Sequence, residues 1–196
     1  FSHTAAYDGM ISNYLSLANL DKSQTELPKT RSIQLTKIQD LRYGENPHQK
    51  AAFYKESHVK AGGIGNYEQL HGKALSYNNL VDADTAWDCV CSFEAPTCVI
   101  VKHANPCGVA TSSKATEAYK RAFSTDPTSA FGGIIAFNRK VEQDLAELVT
   151  GQFVEVILAP EFSKQALKII QGKKNLRALA ISVAKNSLDY EIKRIG

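Results

Sequence analysis

The sequence predicts an α/β layered domain: a largely parallel sheet flanked by helices. Three observations carry this. Short apolar runs rich in β-branched residues recur along the chain, as at 97–101 and 131–137. Segments with helical spacing of apolar residues alternate with them, and Gly- or Pro-containing stretches separate the two. Alternating strands and helices build parallel sheets, and right-handed crossovers then place helices on both faces.

Taken in order, residues 4–18 carry Tyr7, Met10, Ile11, Tyr14, Leu15 and Ala18 at the spacing of one helix face. The polar, Pro-containing stretch 21–32 reads as a linker and is the expected domain boundary. Ile33, Leu35 and Leu41 fall in an extended segment, followed by the turn-rich Tyr43-Gly44-Glu45-Asn46-Pro47, a short strand at 51–54 and a glycine loop at 62–65. Asn78 or Asn79 is placed to cap a helix with Leu80, Ala83, Trp87, Val90 and Cys91 on one face. Pro96 ends that region, and 97–101 is a buried strand. A Gly/Pro loop follows, then a helix near 114–124 with Ala115, Ala118, Tyr119 and Ala122 inward. Residues 131–137 form the next strand. Leu145, Leu148 and Val149 mark a helix that Gly151 stops. A strand at 153–158 is broken by Pro160. Ser163 caps a helix carrying Ala166, Leu167 and Ile170, which Gly172 ends, and 176–183 is the last strand.

The 196 residues suffice for one domain, or one domain and part of another. With no initiator Met and a first stretch that reads as a helix in progress, the chain is expected to be a fragment of a longer one. The composition is 43% hydrophobic and 22% charged, with a net charge of +3. Lys and Arg are scattered rather than bunched, so no nucleic-acid partner is expected, while an anionic small substrate suits the charge. Cys89, Cys91, Cys98 and Cys107 form no C-x-x-C pair and read as reduced thiols of a cytosolic protein. No apolar run is long enough for a membrane span, and the first residues show no signal-peptide pattern.

Four stretches could carry chemistry. The strand at 97–101 delivers Lys102, His103 and Asn105 to a strand's carboxyl end, where open α/β sheets bind ligands. Lys supplies positive charge, His exchanges a proton near neutral pH, and Asn orients an amide or hydroxyl. Pro106 and Gly108 shape the following loop so that backbone N–H groups can face a ligand. Successive strand side chains point to opposite faces, so Lys102 and His103 share a substrate only if the backbone leaves the extended form there. A solvated loop with chance polar residues is the competing reading. In the second stretch, Arg42 beside Tyr43 and a Gly/Pro turn could hold an anion and stack on a heterocycle; a polar turn with Tyr43 packed beneath competes. In the third, the paired Gly132 and Gly133 permit close approach of a ligand or a simple bulge. The fourth is Glu155, a carboxylate in the apolar run 153–158. It needs either a partner or an exposed edge, and alternation puts it opposite Val154 and Val156.

Several chemistries lack their motifs. Zinc deaminases use H-x-E with a later P-C-x-x-C. Here His103 is followed by Ala104-Asn105, and the second cysteine after Pro106-Cys107 is replaced by Ala110. H-E-x-x-H, the P-loop and the dinucleotide fingerprint are also missing. Cys107 beside His103 could be a nucleophile, but no third group orients the pair.

Together the stretches LRYGENPHQ at 41–49, LSYNNLVDADTAW at 75–87, VKHANPCG at 101–108, STDPTSAFGGIIAFNR at 124–139 and FVEVILAP at 153–160 resemble, in order, the bifunctional purine-biosynthesis family that pairs AICAR transformylase with IMP cyclohydrolase. The resemblance covers most of residues 38–170. It implies a cytidine-deaminase-like α/β fold without the zinc site, and formyl transfer from 10-formyltetrahydrofolate to the 5-amino group of AICAR with no metal required. Position by position it implies Lys102 and His103 as the catalytic pair, Arg42 and Tyr43 as AICAR contacts and Gly132 as a substrate-contacting glycine. Glu155 stands where some members have an acidic contact to the AICAR ring, with Glu here in place of Asp. Residues 1–20 look like the terminal helix of the cyclohydrolase domain, 21–32 its linker, and 33–196 the first half of the transformylase domain. The second half, a homodimer with shared active sites, and ring closure to IMP are then expected of the whole protein, and the fragment alone is expected to be inactive. The competing readings are a zinc-dependent nucleoside deaminase and a catalytically silent dimerisation fragment.

Overall fold

The computed structural model describes residues 1–18, 27–56 and 62–183. The expected linker at 21–32 lies partly outside them, as does the chain beyond residue 183. The chain divides into two compact units, residues 1–40 with 52–59, and residues 41–51 with 60–196.

In the first unit, helix α1 (Ser2–Ala18) occupies the stretch with helical spacing. Asn13 on α1 pairs with Ser32 through two hydrogen bonds, donating to its carbonyl at 2.8 Å and accepting from its N–H at 2.9 Å. The apolar side chains that defined the helix face, Tyr7, Met10, Ile11, Tyr14 and Leu15, all remain exposed. Strands β1 (Leu35–Leu41) and β2 (Ala51–Glu56) form a two-stranded sheet.

The second unit holds a six-stranded sheet in the order β3-β8-β7-β6-β4-β5. Its strands are β3 (Glu68–His71), β4 (Thr97–Lys102), β5 (Asn105–Thr111), β6 (Ile134–Phe137), β7 (Val156–Ala159) and β8 (Arg177–Ala180). The helices are α2 (Tyr77–Cys91), α3 (Ala115–Thr125), α4 (Pro127–Ala130), α5 (Gln143–Val149) and α6 (Lys164–Gln171). The layered α/β architecture is the one expected. The sheet is mixed: β6, β7 and β8 run parallel, while β3–β8, β4–β6 and β4–β5 pair antiparallel. The parallel part is thus confined to three strands, because β3 and β4 each run antiparallel to the strand they flank, and β5 returns from β4 as a hairpin that needs no crossover helix.

Strand register sorts the core into two layers. Cys98, Ile100, Ile135, Phe137, Ile157, Ala159 and Ala178 face α3, α5 and α6, packing on Tyr119, Ala122, Leu145, Val149, Ala166 and Ile170. The alternate residues Val99, Val101, Ile134, Ala136, Val156 and Leu158 are also fully buried and face α2, which contributes Leu80, Ala83, Ala86, Trp87 and Val90. Burial on both faces explains why β4, β6 and β7 read as continuous apolar runs.

Several boundaries differ from the expected ones. The cap of α2 is Ser76. Its Oγ accepts from the Asn79 N–H at 3.2 Å while Asn79 Oδ1 accepts from the Ser76 N–H at 3.3 Å, a reciprocal capping box that places Asn79 inside the first turn. Residues 105–111, expected as a loop, form edge strand β5, where Pro106 is tolerated. Edge strand β3 is too polar for an apolar-run criterion. β6 begins at Ile134 rather than 131, because Gly132 has φ +67 and cannot continue an extended strand. Ser163 caps α6 as expected, accepting from the Ala166 N–H at 3.1 Å, and Gly172 follows its end.

On the outer side of α2, burial pushes the Asp84 carboxyl from 3.8 up to about 6, with repulsion from Asp88 adding to it. The folded chain therefore holds a proton that the unfolded chain releases near pH 4. This stabilisation is complete below about pH 4 and is lost as pH rises through 6. Asp84→Asn should raise stability at pH 7 by about 1 kcal/mol, trimmed by solvent screening of an accessible side chain. It should also flatten the dependence between pH 4 and 6 in chemical denaturation.

Candidate functional site

The site forms where β4 ends and turns into β5. Lys102 pairs with Asn105 across the hairpin, leaving His103 and Ala104 as a two-residue loop. Both loop residues have positive φ, 53° and 56°, the requirement of a type I′ turn, usually met by Asn or Gly. The backbone therefore leaves the extended form at His103, which is the condition for Lys102 and His103 to escape strict strand alternation. The His103 imidazole is exposed and has no hydrogen-bond partner among the described residues.

Lys102 is half-buried. Its Nζ donates to the Gly132 carbonyl at 3.0 Å and to that of Phe131 at 3.4 Å. An ammonium has three donors, so one stays available to a ligand. Gly132 in turn donates its N–H to the Phe153 carbonyl at 2.8 Å, and Glu155 donates its N–H to the Gly133 carbonyl at 3.1 Å. Glu155 Oε2 accepts from Asn79 Nδ2 at 2.8 Å. Asn79 is 5% exposed, so the half-buried Glu155 carboxylate meets a donor that the capping box already holds rigid. Lys102, Gly132, Gly133, Glu155 and Asn79 thus form one connected chain of contacts.

The location refines the strand-end argument. Val101 lies opposite Ile134, and Ile134 beside Val156. The carboxyl end of antiparallel β4 therefore coincides with the amino ends of β6 and β7. Glu155 also departs from simple alternation. Val154 belongs to the core layer of α3, α5 and α6, yet Glu155 reaches α2 on the side to which Val156 points. Residues 153–155 precede the regular strand, so the two-residue period does not apply to them.

Not every expected site residue joins this group. Asn105 is exposed and spends its amide on the His103 carbonyl, Nδ2 to O 2.9 Å, bracing the turn. The Arg42 guanidinium stands 5.8 Å from the centre of the Tyr43 ring, and neither residue makes a hydrogen bond or ion pair to Lys102, Gly132 or Glu155 among the described residues. Gly108 does not open the backbone to a ligand: it is buried, with the Ala122 carbonyl of α3 filling the space beside it. The sequence reading missed Asn79 as a partner of Glu155 and Asp82 as a partner of the turn. An N-terminal capping pattern at 76–79 was the available signal for the first. Nothing local signals the second.

Burial pushes the Cys107 thiol up, opposed by its backbone hydrogen bond and by Lys102. Its Sγ lies 3.5 Å from the Ile100 carbonyl, and a protonated thiol of this kind is a poor nucleophile. Among the described residues no three His, Cys, Asp or Glu side chains gather as a metal-binding group, and no helix is long and apolar enough to cross a membrane.

Gly132 tests the connection between the glycine loop and Lys102. A Cβ there would lie 3.2 Å from Lys102 Nζ and 3.2 Å from the Phe153 ring, at a φ that L side chains disfavour. Gly132→Ala is expected to cost about 1–3 kcal/mol of stability and to displace Lys102. Turnover of the intact protein should then fall more than substrate affinity. Unchanged melting and kinetics would show that this loop is slack.

With this geometry in hand, the family model described as AICARFT/IMPCHase bienzyme matches residues 1–196 of the chain.

Proposed function

Since the chain belongs to the AICARFT/IMPCHase bienzyme family, whose AICAR formyltransferase and IMP cyclohydrolase activities serve purine biosynthesis, we propose that residues 33–196 carry part of a formyltransferase site. In it, 10-formyltetrahydrofolate donates its formyl group to the 5-amino group of AICAR. The observation that supports this most is the Lys102–His103 turn. It follows an anchored ammonium with one spare donor by an exposed imidazole that has no hydrogen-bond partner among the described residues.

The AICAR amine is conjugated with its ring and is a weak nucleophile, so its attack needs a base. His103 takes the amine proton as the nitrogen bonds to the formyl carbon. Lys102 donates to the oxygen on which negative charge develops. The bond from the formyl carbon to the folate nitrogen then breaks, tetrahydrofolate leaves, and the proton passes on to it. Glu155, held by Asn79, accepts from the carboxamide N–H groups of AICAR, and Gly132 lets the substrate approach the backbone. Arg42 and Tyr43 contact AICAR, and Asn105, whose amide N–H braces the turn, keeps its side-chain oxygen for the substrate side. No metal takes part in these steps. The whole protein works in the cytoplasm as a homodimer whose second half and partner subunit complete the pocket. Residues 1–20 end its cyclohydrolase domain.

The test is a formyl-transfer assay on the intact protein with AICAR and 10-formyltetrahydrofolate, run beside a metal analysis. Formylated AICAR is the expected product. Hydrolytic deamination with stoichiometric zinc and no formyl transfer would replace this reading by the deaminase one.

A further inference from the structure

The turn that presents His103 is held from outside. His103 and Ala104 both carry a Cβ and both sit in the left-handed region, φ 53° and 56°. Such a conformation persists only where the surroundings over-determine it. One brace is internal, Asn105 Nδ2 on the His103 carbonyl. The other comes from a different layer: Asp82 Oδ1 accepts from the Ala104 N–H at 2.7 Å. That length is typical of a charge-assisted bond. It is also the single polar contact of the Asp82 side chain among the described residues.

Asp82 stands on the second turn of α2, next to Ala83 and one turn from Ala86 and Trp87, all at most 1% exposed. Its backbone is therefore fixed against the sheet. The same helix holds Glu155 through Asn79. One rigid element thus grips both the turn that carries the imidazole and the carboxylate across the site.

We infer that Asp82 is a positioning residue for His103. By accepting from the Ala104 amide it selects the left-handed turn and so sets where the imidazole is presented. The inference rests on the formyl-transfer reading for its kinetic consequence but not for the lock itself. Asp82 does not touch the reacting atoms and is not a catalytic residue.

The first measurement needs no variant. In the intact protein the Ala104 amide, although exposed at a turn tip, should exchange with solvent at least about tenfold more slowly than an unbonded amide, as native hydrogen-bonded amides do. Exchange at the unprotected rate would overturn the lock.

The second compares variants of the intact protein. Asp82→Ala should lower kcat for formyl transfer by about ten- to a hundredfold, the loss typical of a hydrogen bond to a charged group, with KM for AICAR little changed. Asp82→Asn keeps an acceptor oxygen and should recover most of the loss. Ala104→Gly placed on Asp82→Ala removes one of the two Cβ penalties of the turn and should recover part of the turnover, because the backbone at 104 then adopts the left-handed form at no steric cost. Wild-type kcat in Asp82→Ala, in a protein that His103→Ala inactivates, would overturn the inference, and so would Asp82→Asn behaving as badly as Asp82→Ala. If the unaltered protein transfers no formyl group, the formyl-transfer reading fails; if His103→Ala retains turnover, the assignment of His103 as the base fails; in either case Ala104 exchange alone decides whether the lock exists.

Discussion

Replacing His103 with alanine is expected to lower formyl transfer by the intact protein by about 10²- to 10⁴-fold, the range for loss of a positioned general base. Several observations make this the largest catalytic effect. The imidazole has no structural partner among the described residues, and its removal buries nothing and orphans nothing. The fold should therefore survive, with an unchanged melting temperature. The backbone strain of the turn would be left without its chemical purpose. Because the base acts in the transition state, kcat should carry the loss and AICAR affinity should change little. The steady-state assay is decisive when paired with a direct binding titration. Near-normal kcat in a folded His103→Ala protein would remove His103 from the reaction. A large rise in AICAR dissociation constant with kcat intact would make it a binding group.

The largest structural effect is expected at Gly108. A Cβ there would stand 2.2 Å from the Ala122 carbonyl oxygen and 2.9 Å from its carbon. Both belong to the backbone of α3, so no side-chain rotation relieves the contact. Either α3 lifts from the sheet or β5 moves outward. Ala118, Tyr119 and Ala122 of α3 are all buried in the layer that also holds Ile100 and Phe137. Overpacking of a tight core costs about 1–3 kcal/mol and more when only backbone can yield, so a loss of about 3 kcal/mol or more is expected for Gly108→Ala. Urea denaturation should show a lower midpoint with an unchanged slope, since the exposed area on unfolding is the same. An unaltered midpoint would mean that the packing of α3 on β5 is looser than 2.2 Å implies. Turnover should fall as well, because β5 anchors one side of the His103 turn.

Gly108 also shows how far local reasoning reached. Within VKHANPCG the glycine and proline suggested a loop open to a ligand. The fold makes the same residues an edge strand, and the glycine is needed because a helix backbone crosses there. Pairing with β4 runs through a two-residue turn at His103 and Ala104 that lacks the Asn or Gly by which such turns are recognised, and Pro106 sits on an edge strand that tolerates it. Lys102 and His103 were legible as a pair because strand β4 is a continuous apolar run that must end at the first polar residues. Their joint use was not legible, since it depends on positive φ at two residues with side chains. Glu155 stands out in the sequence as a carboxylate in an apolar run, but its partner lies 76 positions away.

What the sequence determined by itself is the class of the fold and most of its parts. Periodicity and capping are local properties, so α3, α5 and α6, the buried strands β4, β6 and β7, and the Ser163 cap could be read from neighbours a few positions apart. The identities of Lys102, His103, Gly132 and Glu155 were likewise on the surface of the text. Only the tertiary structure decided that the carboxyl end of β4 meets the amino ends of β6 and β7. It alone decided that Asn79 meets Glu155, and that Asp82 holds the turn. The physical reason is shared: each depends on strand direction and on contacts between layers. Free energy selects these over the whole core at once, and no window of neighbouring residues contains them.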